Sequence, residues 1–166
     1  MGLLGGPEAA AEAVAATLVA HVNDAVATIN AAYTDMTLPT FAAANIYALH
    51  RSLIPEYPAI VVGSVDGKEL ANGAPNWAED DHRLDVAILC QSDDELVLDK
   101  QTLRYLWAVW RTLKVQQALD NSLSGLAGVD TPSYGRSEAY QVKQGSPLMM
   151  RVAGIEVIVH IVETVF

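Results

Sequence analysis

The sequence predicts an α+β fold: a largely antiparallel or mixed sheet of about four strands, with two main helices packed on one face. Three observations carry that expectation. Apolar residues recur at three- and four-residue steps over 7–33 and again over 92–119. Compact β-branched or alternating runs occupy 58–65, 83–90, 133–143 and 147–165. The order helix, strands, helix, strands layers helices on one side of a sheet. At 166 residues, 51% of them hydrophobic, the chain suits a single domain spanning 1–166 with one core.

In the first helix, 7–33, Pro7 fits the first turn, Glu8 and Glu12 favour its positive end, and the body is alanine-rich. Val14, Leu18, Val22, Val26, Ile29 and Tyr33 form its apolar stripe, and the alanines allow close backbone approach. A loop with Asp35 and Pro39 follows, and 41–53 reads as a short second helix. Strand 58–65 is entered through Pro58. Residues 66–82 carry Asp66-Gly67, Asn72-Gly73 and Pro75, which is turn chemistry and predicts a loop. Strand 83–90 alternates Leu84, Val86 and Ile88 against Asp85, Ala87 and Leu89. Ser92 and Glu95 have capping-box spacing and open a helix running to about 119. Its predicted core stripe is Leu96, Leu103, Leu106, Trp107, Trp110 and Leu113. Residues 120–132 read as a loop bearing Gly, Ser and Pro. Two strands, 133–143 and 147–165, then follow around a turn at Gln144-Gly145-Ser146. Ala153-Gly154 predicts a bulge or bend in the last of them.

Composition excludes several classes of function. Twenty acidic against ten basic residues leave a net charge of −10, which repels phosphate and disfavours nucleic-acid or anionic-membrane binding. Cys90 is the single cysteine, so no intrachain disulfide or thiolate zinc cluster is available. Its apolar surroundings predict a buried, inert thiol, as in a reducing compartment. The start, MGLLGGPEAA, lacks the basic segment and apolar core of a secretory signal, and Gly6 breaks the myristoylation pattern. No apolar run approaches the roughly 20 residues that span a bilayer, which predicts a soluble protein without a membrane partner.

Chemistry is concentrated at Glu79, Asp80, Asp81 and His82. Carboxylates beside a histidine suit a metal shell or an acid–base pair, but consecutive loop residues rarely all converge on one point. His21, His50 and His160 lie on separate elements, so the cluster reads as a charged loop. Asp85 is a lone acid facing solvent or an interface, and His160, among Ile158, Val159, Ile161 and Val162, reads as a partly buried or interface histidine. Trp107 and Trp110 sit at helical spacing and read as core aromatics rather than a ligand platform, and Met149-Met150 as filler. No phosphate loop, nucleophile elbow, zinc-protease motif or dinucleotide fingerprint occurs, and the glycines of 125–128 are turn glycines. No catalytic residue, cofactor or metal is assigned.

The layout is more informative than any motif. An N-terminal amphipathic helix leads to Tyr57-Pro58-Ala59-Ile60-Val61-Val62 and a variable loop. The strand from His82 through Leu89, a helix containing Leu103-Arg104-Tyr105-Leu106, and a terminal β-hairpin follow. Over nearly its whole length this resembles the tail terminator (tail completion) proteins of long-tailed bacteriophages. The resemblance implies a structural virion protein without enzymatic activity, present in the host cytoplasm during assembly and then in the tail or neck. It implies a homo-oligomeric ring, usually a hexamer, that caps the tail tube and stops its polymerisation. The same ring would offer a joining surface to the head–tail connector protein and pass genomic DNA without specific binding. Asp66, Glu69, Trp77, Glu79, Asp80, Asp81 and His82 are the candidate assembly interface or lumen. Three properties agree: positive mean hydropathy despite the charge, an acidic wall that repels DNA, and a long final strand able to pair across a subunit boundary. The alternatives are another neck or connector component, a metal-assisted hydrolase using Asp80, Asp81 and His82 with Asp85 or His160, and a small-molecule module built on the tryptophans.

Overall fold

The computed structural model describes residues 6–49, 54–72, 77–119, 124–129, 140–141 and 145–164, with backbone alone for 64–72, 77–80, 124–129, 140–141 and 162–164. Two helices, α1 (Pro7–Ala32) and α2 (Glu95–Val115), lie on one face of a six-stranded mixed sheet. The strands are β1 (Ile46–Ala48), β2 (Ala59–Asn72), β3 (Trp77–Ser92), β4 (Ser124–Val129), β5 (Tyr140–Gln141) and β6 (Met149–Thr164). The sheet order is β1-β2-β3-β6-β4, with β5 also on β6. Among the described strand pairs only β1 and β2 run parallel. The α+β class is therefore as the sequence predicts, and four of the strands have six or more residues.

The sheet is built around β3, which pairs with β2 on one side and with β6 along its full length on the other. Alternation then sorts the side chains. Leu84, Val86, Ile88 and Cys90 of β3, with Ala153, Ile155, Val157, Val159 and Ile161 of β6, face the helices and are buried. Against them α1 packs Val14, Leu18, Val22, Val26 and Ile29, together with Ala10, Ala11, Ala13, Ala15 and Ala25. Those alanines are buried along with the predicted stripe. Tyr33, the last of the predicted stripe, is exposed. Buried Thr17, Thr102 and Thr112 satisfy their hydroxyls within their own helices, donating to Ala13, Leu98 and Ala108 carbonyls at 2.9, 2.7 and 2.8 Å.

The connection after α1 is irregular yet firmly bonded. Asn30 Oδ1 accepts from Leu38 N at 2.8 Å while its Nδ2 donates to Leu38 O at 2.9 Å. Asn23, one heptad earlier on α1, makes the same pair of bonds with Phe41, at 2.9 and 3.0 Å. Each asparagine thus imitates a neighbouring strand. From the other helix the Tyr105 hydroxyl donates to Pro39 O at 2.6 Å. Burial holds that phenol above its ordinary pKa, with a further contribution from nearby Cys90.

Several elements differ from expectation. The 41–53 region holds a 3₁₀ turn, Ala43–Asn45, and strand β1 instead of a helix, with 50–53 outside the described residues. Segment 66–82 is mainly strand: β2 continues to Asn72 and β3 begins at Trp77, with 73–76 outside the described residues. Asp66, Gly67 and Asn72 pair in the ladder with Arg83, His82 and Ala78, and two register shifts, between Ser64/Asp66 and Glu69/Ala71, leave out Val65 and Leu70. The cap of α2 is Asp94, whose Oδ1 accepts from Leu96 and Val97 N, while Ser92 Oγ accepts from Asp94 N. The helix ends at Val115 rather than about 119. Part of the predicted 120–132 loop is strand β4, and of 133–143 only β5 is described. Gly145 has φ 82, which suits the predicted turn, whose Gln144 lies outside the described residues. Ala153 and Gly154 pair in unbroken register with Ile88 and Ala87, so the expected bulge is absent there. A Cβ at Gly154 would lie 3.1 Å from Asp85 Oδ1, and the glycine makes room for that carboxylate.

Candidate assembly surfaces

The acidic cluster is divided by the strand that carries it. His82 shares a side with Leu84 and Val86, is 7% exposed, and has no hydrogen-bond partner at either ring nitrogen. Its neighbour Asp81 faces away from the helices, where His160 Nδ1 donates to Asp81 Oδ1 at 2.9 Å. The two residues are directly paired across β3 and β6. The shell that a metal-assisted hydrolase would draw from Asp81 and His82 together does not form. Among the described residues no group of three or more His, Cys, Asp or Glu could hold a metal ion. Asp66, Glu69, Trp77, Glu79 and Asp80 lie on the β2–β3 hairpin, with Glu69 opposite Asp80 and Trp77 opposite Thr164. The candidate interface residues therefore sit on a strand arm and not on a loop.

The open face of the sheet, away from the helices, has two parts. Near β1, buried Tyr47, Ala59 and Val61 pack with Ile54, Tyr57 and Leu89 in a small second cluster. Along β3 and β6 the face is charged: Arg83 Nε lies 3.1 Å from Glu156 Oε1, and exposed Asp85 sits opposite Glu156. His160 is half-buried there, in agreement with its predicted place.

The second surface was misassigned by the periodicity. On α2, Leu98, Tyr105, Leu106, Val109 and Leu113 are buried, whereas Leu96 is 64%, Leu103 48% and Trp107 50% exposed. Of the predicted core stripe only Leu106 and Leu113 are fully inside, and Trp110 is partly buried against the core. Trp107 stacks on Trp110 with centroids 4.7 Å apart, and Lys114 Nζ lies 5.8 Å from the Trp110 centroid. Beside them an open groove of about 380 Å³ is lined by Ile29, Tyr33, Lys100, Leu103, Arg104 and Trp107. Arg104 lies over the Tyr33 ring at 4.7 Å. Asp35 joins Arg104 at 2.6 Å and Lys100 at 2.8 Å. Hydrogen bonds from Lys100 and Arg104 lower its carboxyl to about 2.

The groove was missed because its residues come from α1, the following segment and α2, which no single helical period connects. The lone thiol fulfils its reading: Cys90 is buried, and desolvation raises it to about 12 despite a hydrogen bond with Thr102. His50 lies outside the described residues. No described helix is long and apolar enough to cross a membrane. Neither protein-family models nor curated proteins give a match to this chain.

Proposed function

We propose that this chain is a structural, ring-forming tail terminator of a long-tailed phage, acting by assembly and not by catalysis. The observation that supports it most is the outward face of α2, where Leu96, Leu103 and Trp107 lie in solvent on a chain of net charge −10. A stripe of this kind is characteristic of a surface covered in an assembly. The order helix, strands, helix, strands is that of the layout on which the resemblance rests, apart from its variable loop, most of which is strand here. Carboxylates on the open sheet face, Asp81, Asp85 and Glu156, suit a wall along which DNA passes without adhering. In this reading one face of the ring meets the tail tube protein and the other the head–tail connector. The test is tube growth in vitro. Added protein is expected to arrest polymerising tail tubes and to appear at one tube end by negative-stain imaging. Tubes that keep growing at the same rate, with no density added at either end, would overturn the reading.

A further inference from the structure

Helix α2 differs in charge from the rest of the chain. It carries Lys100, Arg104, Arg111 and Lys114, four of the ten basic residues, but only Glu95 and Asp99 of the twenty acidic ones. Lys100, Arg111 and Lys114 fall within about 60° of the line through Leu96, Leu103 and Trp107, given 100° per residue. One carboxylate, Asp35, serves two of these cations, Lys100 and Arg104. The outward face therefore pairs its apolar residues with cations on the centre line (Lys114) and along one margin (Lys100, Arg111), while Asp99 on the other margin is neutralised by Arg151 at 2.6 Å. The surface that fits it is acidic.

The chain itself carries a segment of that charge. Between positions 66 and 81, strands β2 and β3 carry Asp66, Glu69, Glu79 and Asp80 against Lys68, while Asp81 is held by His160 on the open face. This arm also outruns the helix. At about 3.3 Å per strand residue β3 spans roughly 50 Å, whereas α2 at 1.5 Å per residue spans about 31 Å. Helix α2 starts beside the Ser92 end of β3, so it can lie along little more than half of that strand, and 77–81 fall at the opposite end.

We infer that the outward face of α2 receives the β2–β3 arm of a second copy of this chain, head to tail. The two surfaces are different, so the contact is heterologous, and repeating it generates a closed ring when the rotation permits. Charge complementarity selects the arm over a second α2 face, because two α2 faces brought together would oppose like charges. The inference rests on the ring reading above and names its subunit contact.

The test is a charge swap read by solution mass over a concentration series. One variant reverses the face, Arg111→Glu with Lys114→Glu; the other reverses the arm, Glu79→Lys with Asp80→Lys. Each alone is expected to raise the concentration needed for assembly at least tenfold. Mixed in equal amounts they assemble again, because the positive arm of one then meets the negative face of the other. Circular dichroism matching the wild type confirms that each variant is folded. Should both variants assemble like the wild type, or should the mixture remain dissociated, this contact is overturned while the ring reading stands. Loss of assembly in the face variant alone would assign the face to a different partner surface and also overturn the arm. A wild type monomeric throughout the series overturns both.

Discussion

Both sides of α2 carry large apolar residues, yet one is a core and the other is a surface. The inward side buries Leu98, Tyr105, Leu106, Val109 and Leu113 against β3 and β6, while the outward side leaves Leu96, Leu103 and Trp107 in solvent. Amphipathicity shows that a helix has a dry face and a wet one. It does not say which of two apolar stripes faces the chain's own sheet. The difference is visible in the polar residues instead. The inward side carries threonines that bond within their helix and a tyrosine bonded to Pro39, whereas the outward side carries lysine and arginine.

That contrast can be broken or sharpened by substitution. The largest effect is expected at the inward side, where Leu113→Ala removes a fully buried side chain and should cost about 2–5 kcal/mol in denaturant unfolding. A midpoint equal to wild type would show that this side is not the core. Alkaline pH comes next. Cys90 is raised in the folded chain to about 12 from 9.0, so its neutral form contributes stability that is complete below pH 9 and declines as pH rises towards 12. Tyr105, raised by the same burial, adds to the decline above its ordinary value of 10.0. Unfolding titrations across that window measure it, and Cys90 should resist alkylation until the chain unfolds. Rapid labelling of the native protein would contradict its burial.

Smaller effects belong to the rim and the outward side. Asp35→Asn should lower thermal stability at neutral pH, with the loss shrinking as pH falls through about 2 and vanishing below it. The depressed carboxyl contributes above its unfolded value of 3.8 and loses its contribution as pH falls through about 2. An equal loss at neutral and at acid pH would mean that packing, not charge, holds Asp35. The smallest effect on folding is expected from Trp107→Ala, under about 1 kcal/mol for a half-exposed ring, although assembly should weaken markedly. A large loss of folding stability with assembly intact would exchange the roles of the two sides.

The fold class was legible because long periodic segments dominate it. The first helix was found within a residue, and the alternation of Leu84, Val86 and Ile88 identified the core side of β3. Turn chemistry misled at 66–82, since Asp66 and Gly67 pair with Arg83 and His82 in a strand whose neighbours, and not its own propensity, fix its conformation. The short β1 and β4 were hidden because a strand of three to six residues gains its identity from its neighbours rather than from its own period. At the candidate site, the proximity of Asp81 and His82 in sequence concealed their separation in space. Strand alternation sends one to the open face with His160 and the other into the core. The groove beside Trp107 joins Ile29 and Tyr33 to Lys100, Leu103 and Arg104 across the packing of two helices far apart in sequence, which no spacing rule announces.

The central claim is that the outward side of α2 is a subunit contact. Its most direct measurement is solution mass by light scattering, with wild type and Trp107→Ala followed over the same concentrations. The account predicts a wild type that rises from its 17.8 kDa protomer to a closed multiple, and a folded variant that stays near the protomer mass. Identical mass profiles for the two proteins would contradict it.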